Sequence, residues 1–281
     1  MRTFAITGGT DGMGRALALA LLERGHHVAV LGRSPAKGAE LLDAAAQLGA
    51  GNRARFIPAD LSLINGNRAA IAAIRDEFSE LDGLVLAARY YRSDRVVTAE
   101  GFESTFALSY LSRFVLSYEL SDLLDTATAP VILNICGPGS GSEIHWDDLG
   151  LAANYHGQTA LSQSGPLNDL LGVGYAESSR RTRYVLFGPG LVNTAFAGQY
   201  DAATAAQIEA MRARATPVAE AIAPMLAILD NPPAAPLSAY SLGRPLSLDG
   251  PSFDPDAAQR LHRTTQALLA DLTTHEQERT A

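Results

Sequence analysis

Thr7-Gly8-Gly9-Thr10-Asp11-Gly12-Met13-Gly14 follows the apolar run Phe4-Ala5-Ile6 and leads into Arg15-Ala16-Leu17-Ala18-Leu19. The order is strand, glycine turn, helix start. Glycines suit such a turn because they permit a tight reversal, let the backbone approach phosphates and allow close packing of helix on strand. The helix N-terminus then offers free N–H groups and the positive end of its dipole to a pyrophosphate. A glycine-rich turn alone would be weak evidence. Its place between a strand and a helix makes Thr7, Gly8, Thr10, Asp11, Gly12, Met13 and Gly14 a candidate dinucleotide loop.

Outward from this loop the hydrophobic periodicity alternates between strand and helix, without repeat, linker or low-complexity break. Strands are expected near Thr3–Thr7, His27–Leu31, Arg55–Pro58, Gly83–Ala87, Val131–Cys136, Tyr184–Phe187 and Ala239–Ser241. Helices are expected over Met13–Arg24, Pro35–Leu48, Arg68–Phe78, Glu100–Leu124, up to Ser178, Thr216–Leu229 and Asp254–Thr273. The expectation is one α/β domain over residues 1–281, a Rossmann fold with a doubly wound parallel sheet of about seven strands. The glycine-rich loop Gly137–Gln158 precedes the helix that ends near Ser178, and residues 193–215 read as a mobile substrate flap with its own helix. Ser164 is placed to cap a helix beginning at Pro166, which would leave the preceding turn unwound.

Composition narrows the functional classes. The 281 residues carry a net charge of −8, which argues against a nucleic-acid or anionic-membrane surface. The lone cysteine, Cys136, excludes an intrachain disulfide and fits a reducing compartment. A strand begins within two residues of the start and no apolar run reaches membrane-spanning length, so a cytoplasmic location is expected. Lys37 is the single lysine among 22 basic residues, which leaves 21 arginines. Coding bias accounts for scarce lysine, but bias should not remove one that chemistry requires.

The spacing Thr7-Gly8-x-x-x-Gly12-x-Gly14 resembles the short-chain dehydrogenase/reductase family, and the resemblance runs to about residue 273. Leu81–Leu116, Ile144–Leu149 and the stretch from Gly243-Arg244-Pro245 through Leu269 look most like its retinol-dehydrogenase-like branch. The resemblance implies an NADP(H) site. Gly32-Arg33 ends the second strand where NAD-binding relatives carry an acid, and Arg33 instead suits a 2′-phosphate by charge and bidentate geometry. Asp60-Leu61 looks like the adenine contact, and Ala87 lies in the segment matching the family's Asn-Asn-Ala-Gly. Pro189-Gly190-Leu191-Val192-Asn193-Thr194 looks like the nicotinamide-side motif, with an amide near Val192 and the Thr194 hydroxyl on the carboxamide.

The same resemblance shows what is missing. In the family a tyrosine moves the proton, a lysine lowers its pKa and holds the ribose, a serine polarises the carbonyl and an asparagine holds a relay water. Those positions fall on Leu161, Gly165, Gly137 and Ser109, and the Asn-Asn-Ala-Gly segment reads Leu86-Ala87-Ala88-Arg89. No Tyr-x-x-x-Lys exists in any register, because Lys37 lies in the second helix.

Other residues at the pocket mouth are candidates for chemistry. Arg89 and Tyr90 follow the fourth strand. Arg89 puts a cation where relatives have a glycine, and could bind an anionic or enolised substrate. As ordinary structure it would be a loop cation turned to water. His145, Asp147 and Tyr155, with His156 beside them, could supply an acid or base if the loop folds over the site. As ordinary structure Asp147-Asp148-Leu149 is a loop element. Cys136 reads as a small core residue rather than a nucleophile. His145, His156 and Cys136 lack compact metal-ligand spacing, and no metal is expected.

Three readings follow for a protein of small-molecule, specialised metabolism, with self-association among the expectations. One is an atypical redox-neutral cyclase or isomerase in which bound NADP(H) shapes a pocket wall. Another is an NADPH-dependent reductase of an activated acceptor, such as an iminium or a conjugated C=C. The third is a non-catalytic cofactor-binding pseudoenzyme.

Overall fold

Thr3–Thr7 (β1), His27–Gly32 (β2) and Ala54–Pro58 (β3) pair in parallel in the order β3-β2-β1. The chain then crosses to the far side of β1 and adds Gly83–Leu86 (β4). This reversal between β1 and β4 is the switch point at which open α/β sheets bind ligands. A two-residue pair Tyr91–Arg92 (β5) follows, and Val131–Ile135 (β6), Arg183–Gly188 (β7), Leu237–Ser241 (β9) and Arg244–Pro245 (β10) extend the main sheet outward from β4. Gly198–Gln199 (β8) pairs in parallel with β5 in a small second sheet. The computed structural model describes residues 1–178 and 180–280, and side chains through residue 274.

The strands form because helices cover both sheet faces. Ala5, Leu84, Leu86, Ile132 and Leu186 lie in one core cluster, with Tyr110, Leu116, Leu170 and Leu261 from the helices Ser112–Glu119 (α5), Gly157–Glu177 (α7), Pro255–Thr280 (α10) and the turn ahead of α5. Phe4, Ile6, Val85, Leu133 and Val185 lie in the other, under Gly12–Glu23 (α1), Pro35–Gln47 (α2) and Val218–Asp230 (α9). Alternate residues of a strand thus serve opposite faces, and buried parallel strands read as continuous apolar runs. Ile64–Glu77 (α3) packs on α5.

Four expectations are corrected. The main sheet has eight strands rather than seven, because β10 folds back antiparallel on β9. Leu242 and Gly243 both take positive φ (51° and 74°), the two-residue reversal that matches strand twist. Leu242 lacks the Asn or Asp that signals such a turn.

The expected helix Glu100–Leu124 begins instead at Ser104–Phe106 (α4) and passes through a π-helical turn, Ala107–Leu111, before α5 and Ser121–Asp125 (α6). Its start is set by Glu103, whose carboxylate accepts the N–H groups of Thr105 (2.8 Å) and Phe106 (2.7 Å). Helix α3 begins four residues earlier than expected, at Ile64.

Helix α7 starts at Gly157 and runs unbroken through Pro166, so the turn before the proline is not unwound. Ser164 does not cap it. Its Oγ donates to the Leu161 carbonyl at 2.6 Å, the back-bond of a mid-helix serine. The Asn168 side-chain amide donates to the Ser164 carbonyl at 2.6 Å, and Gly165, Pro166 and Leu167 are buried. That packing offsets the hydrogen bond a proline removes.

The flap is tied at root and tip. Asn193 N–H donates to the Thr216 carbonyl (2.8 Å) and Thr216 N–H to the Leu191 carbonyl (2.9 Å). At the tip, β8 pairs with β5, and Ala202–Arg212 (α8) follows.

Candidate active site

The glycine loop has the geometry its sequence implies. Gly8 and Gly12 take positive φ (66° and 50°), and a Cβ at Gly14 would stand 2.5 Å from the Gly8 carbonyl oxygen. This is a backbone cradle that side chains would fill. Asp11 caps α1 by accepting the Gly12 N–H at 2.8 Å. The Thr7 hydroxyl accepts the N–H groups of Ala87 (2.9 Å) and Ala88 (3.1 Å), which ties the loop to the end of β4. Thr10 packs on Gly32, which brings the loop to the end of β2, and Met13 packs into the core. A Cβ at Gly12 would lie 3.2 Å from the Thr194 methyl, so the segment Pro189–Thr194 closes on the same loop. Within it Gly190 has φ 71°, and Val192 is buried and bridged to Thr216.

Cations gather beyond the end of β2. Arg33 is exposed and stacks on the Tyr90 ring at 4.7 Å, and Arg92 lies 5.0 Å from the same ring. Lys37 is ion-paired to Asp11 across the mouth of the loop. Asp60 accepts both the N–H (3.0 Å) and hydroxyl (2.7 Å) of Ser62, and Leu61 is buried behind it.

Arg89 follows β4 without a fixed partner: among the described residues it makes no hydrogen bond or ion pair. Its side chain is open to solvent by area, yet protein surrounds the guanidinium and burial holds its pKa below the usual arginine range. Its electrostatic neighbours are Tyr200 and Arg113. Tyr200 stacks on Tyr91 (5.2 Å, 15°) and donates its hydroxyl to the Phe196 carbonyl, so the flap covers this segment. Tyr155 joins it too, donating to the Arg92 carbonyl at 3.2 Å, and burial raises its phenol above the ordinary value.

His145 and Asp147 are not brought to this place. The loop folds back on α7 and α10: the His145 N–H donates to Gln163 (2.8 Å), and Trp146 lies 4.2 Å from the Arg260 guanidinium. Asp147 and His156 are exposed. The cause is Gln163, which also donates to the Leu149 carbonyl at 2.9 Å and so clamps the loop at both ends.

The positions assigned to the relay surround a different network. Ser109 lies in the π-helical turn, its carbonyl accepting from Asn168 (2.9 Å) and its buried hydroxyl without a partner among the described residues. Arg113, 5% exposed, donates to the Asn134 side chain, to the Ile135 carbonyl (2.9 Å) and to the Ala88 carbonyl (3.3 Å). Asn134 continues to Asn168 (2.8 Å) and Tyr184 (3.0 Å). Leu161 is half-buried on α7. A Cβ at Gly165 would stand 2.8 Å from Ser140 Oγ and 3.1 Å from the Gly137 carbonyl, whereas one at Gly137 would meet nothing within 4 Å. Burial pushes the Cys136 thiol up to about 12, even with Arg113 opposing, so it is no nucleophile at neutral pH.

Sequence reasoning missed Arg113, Asp169 and Tyr200. A cation inside Phe106–Leu116 and a carboxylate inside Leu167–Leu171 were visible signals, since apolar helix faces exclude charge unless it has a task. Tyr200 carried none. Among the described residues no group of three or more His, Cys, Asp or Glu could hold a metal ion, and no helix is long and apolar enough to cross a membrane.

Comparisons with known proteins agree with this architecture. Human "Polyprenol dehydrogenase" is 29% identical over 206 residues, covering 69% of this chain and 61% of that protein. "Oxidoreductase AN1596" of Emericella nidulans is 28% identical, covering 68% and 59%. The chain thus spans about three fifths of the length of these two relatives. "Putative daunorubicin C-13 ketoreductase DnrU" of Streptomyces sp. (strain C5) is 28% identical over 277 residues, 96% of this chain and 93% of that one. Among solved structures, a short-chain dehydrogenase from Streptomyces avermitilis matches all of this chain and 97% of its own, at TM-score 0.63 and 19% identity. One from Burkholderia cenocepacia, in complex with NADP, matches 86% of this chain and 97% of its own, at 0.67 and 19%. The family model described as short chain dehydrogenase matches residues 2–145, the half of the chain that builds the glycine loop and the first strands, and the protein belongs to that family.

Proposed function

We propose that the protein is an NADP(H)-binding small-molecule enzyme that works without a tyrosine–lysine relay. Its reaction is a redox-neutral isomerisation or cyclisation, with the cofactor as one pocket wall. The residues fit the cofactor: Gly8, Gly12 and Gly14 leave the backbone cradle free, and Arg33 and Lys37 stand at the end of β2, where a 2′-phosphate needs cations. A structural relative bound to NADP shares the fold. Bound nicotinamide supplies or takes a hydride in this family.

One observation carries the reading. The only lysine is paired with Asp11 on the adenosine side, and the ground beside Gly165 is occupied by Ser140 and the Gly137 carbonyl. General acid–base help is worth about a hundred- to ten-thousandfold, so its loss cripples ordinary ketone reduction. Arg89, at the end of β4 and without a hydrogen bond or ion pair among the described residues, stabilises negative charge on an enolate oxygen without needing hydride transfer. Tyr90 and Tyr155 both contact Arg92, three residues further on.

A second reading is favoured by the match to DnrU along nearly the whole chain: NADPH-dependent reduction of an activated acceptor. Calorimetric titration with NADPH and NADP+, repeated with Arg33→Ala, tests the cofactor site, where the variant should bind more weakly. Incubation with NADPH and a cyclic ketone in D2O separates the readings. Deuterium entering the α-position at constant NADPH absorbance supports the redox-neutral enzyme. Stoichiometric NADPH loss supports the reductase. Absence of cofactor binding sinks both.

A further inference from the structure

We infer that Tyr90 sets the preference for NADP(H) over NAD(H), by holding Arg33 where the cofactor's 2′-phosphate arrives. The inference rests on the NADP(H)-binding reading and adds to it a positioning residue from the far side of the glycine loop.

The strand order sets the two residues apart. Arg33 directly follows β2, and Tyr90 lies between β4 and β5. Between β2 and β4 runs β1, from whose end the glycine loop departs. Two strand spacings are about 10 Å. Even so, the Arg33 guanidinium lies over the Tyr90 ring, 4.7 Å from its centre. The contact therefore bridges the carboxyl end of β1, beside the loop that suits a pyrophosphate.

Among the described residues the exposed Arg33 side chain makes no hydrogen bond or ion pair, so the ring is what holds it. An arginine turned to water samples many rotamers, and a phosphate would have to freeze them. A ring beneath the guanidinium removes part of that cost beforehand. The contact does not compete with the ligand. A cation–π contact uses the face of the guanidinium, whereas bidentate recognition of a phosphate uses the N–H groups on its edge. A carboxylate would also position Arg33, but it would cancel the charge that the phosphate needs. A neutral ring leaves that charge in place.

The platform is itself fixed. Tyr90 is half-buried, and Arg92 lies 5.0 Å from the same ring. Arg92 donates to the Gln199 side chain in β8, and its carbonyl accepts the Tyr155 hydroxyl at 3.2 Å. Tyr91, the next residue, pairs with Gly198 and stacks on Tyr200. The backbone on the carboxyl side of Tyr90 is thus anchored to the flap, and the ring is held between that anchor and Arg33.

Calorimetry of the full chain with NADPH and with NADH tests the role. The proteins are wild type, Tyr90→Leu, Tyr90→Phe, Arg33→Ala and the Arg33→Ala/Tyr90→Leu double variant. Tyr90→Leu should weaken NADPH about two- to fivefold, the scale of an exposed cation–π contact, and leave NADH unchanged. Tyr90→Phe keeps the ring and should keep the wild-type ratio of the two affinities. In the Arg33→Ala background, Tyr90→Leu should have no further effect on NADPH, because the two residues act as one unit. A purely structural role would weaken both cofactors together and add to Arg33→Ala, which overturns the proposal. Tighter binding of both cofactors by Tyr90→Leu would mark the ring as an obstruction and overturn it equally. Loss of NADPH affinity in Arg33→Ala with none in Tyr90→Leu removes Tyr90 and leaves the cofactor reading standing. Wild-type protein that binds neither cofactor overturns both.

Discussion

Lys37, the chain's only lysine, is ion-paired to Asp11, the residue that caps the helix after the glycine loop. The pair is about half exposed, 49% and 39%, so it adds at most about 1 kcal/mol to stability. Its place matters more, because it sets a cation at the same mouth as Arg33. Lys37→Met should leave the melting temperature within a few degrees and weaken NADPH about tenfold, with NADH little affected. Calorimetry with the two cofactors checks this, and equal losses for both would remove Lys37 from 2′-phosphate recognition.

Gly14→Ala should abolish dinucleotide binding. The added Cβ would stand 2.5 Å from the Gly8 carbonyl oxygen, a backbone atom that cannot yield without opening the turn. Loss of NADPH binding in a variant that keeps its far-ultraviolet circular dichroism is the expected outcome. Unchanged affinity would refute the cradle.

Arg113→Met should be among the most destabilising single changes. It strips donors from the Asn134 side chain and the Ile135 and Ala88 carbonyls, all at the ends of β4 and β6. Buried acceptors left without donors cost about 1–3 kcal/mol each. Urea unfolding should therefore show a loss of roughly 3 kcal/mol or more.

Tyr200→Ala should loosen the flap without unfolding the chain. The Tyr91–Tyr200 stack and the β5–β8 pairing hold its tip, and the N–H groups of Tyr91 and Ser93 donate to the Ala197 (3.1 Å) and Gln199 (3.0 Å) carbonyls. Hydrogen exchange at Tyr91 and Ser93 should accelerate, while amides in β1 and β6 keep their protection.

Asp169 predicts an inverted pH dependence. Its carboxyl rises from an ordinary 3.8 to about 7 in the folded chain. Between those values the native state holds a proton that the unfolded state has released, so stability falls as pH rises through the window and levels off above it. The full effect is bounded at about 4 kcal/mol, from roughly 1.4 kcal/mol per unit. Asp169→Asn should thus be more stable than wild type at about pH 8 and indistinguishable near pH 4. Parallel melting curves at the two values provide the check.

The glycine turn, the alternation of elements and the strand cores were legible in the chain, because each depends on neighbours a few residues away. Phe4-Ala5-Ile6 reads as a buried strand, and Gly8, Gly12 and Gly14 read as a turn that side chains would spoil, whatever the rest does. The absence of any Tyr-x-x-x-Lys is equally local, a statement about composition. Distant contacts decided the rest. Helix α3 starts at Ile64 rather than Arg68 because Glu100, far along the chain, accepts the N–H groups of Ile64 and Asn65. Pro166 sits inside a helix because packing on both sides of it outweighs the bond it removes. His145 and Asp147 fold away because Gln163 clamps their loop, while Asp169 and Arg113 become buried because α7 and α5 lie against the strand ends. Local propensity depends on a window of residues. Which charge ends up in a low-dielectric site depends on which surfaces meet, and that is settled only when the chain has folded.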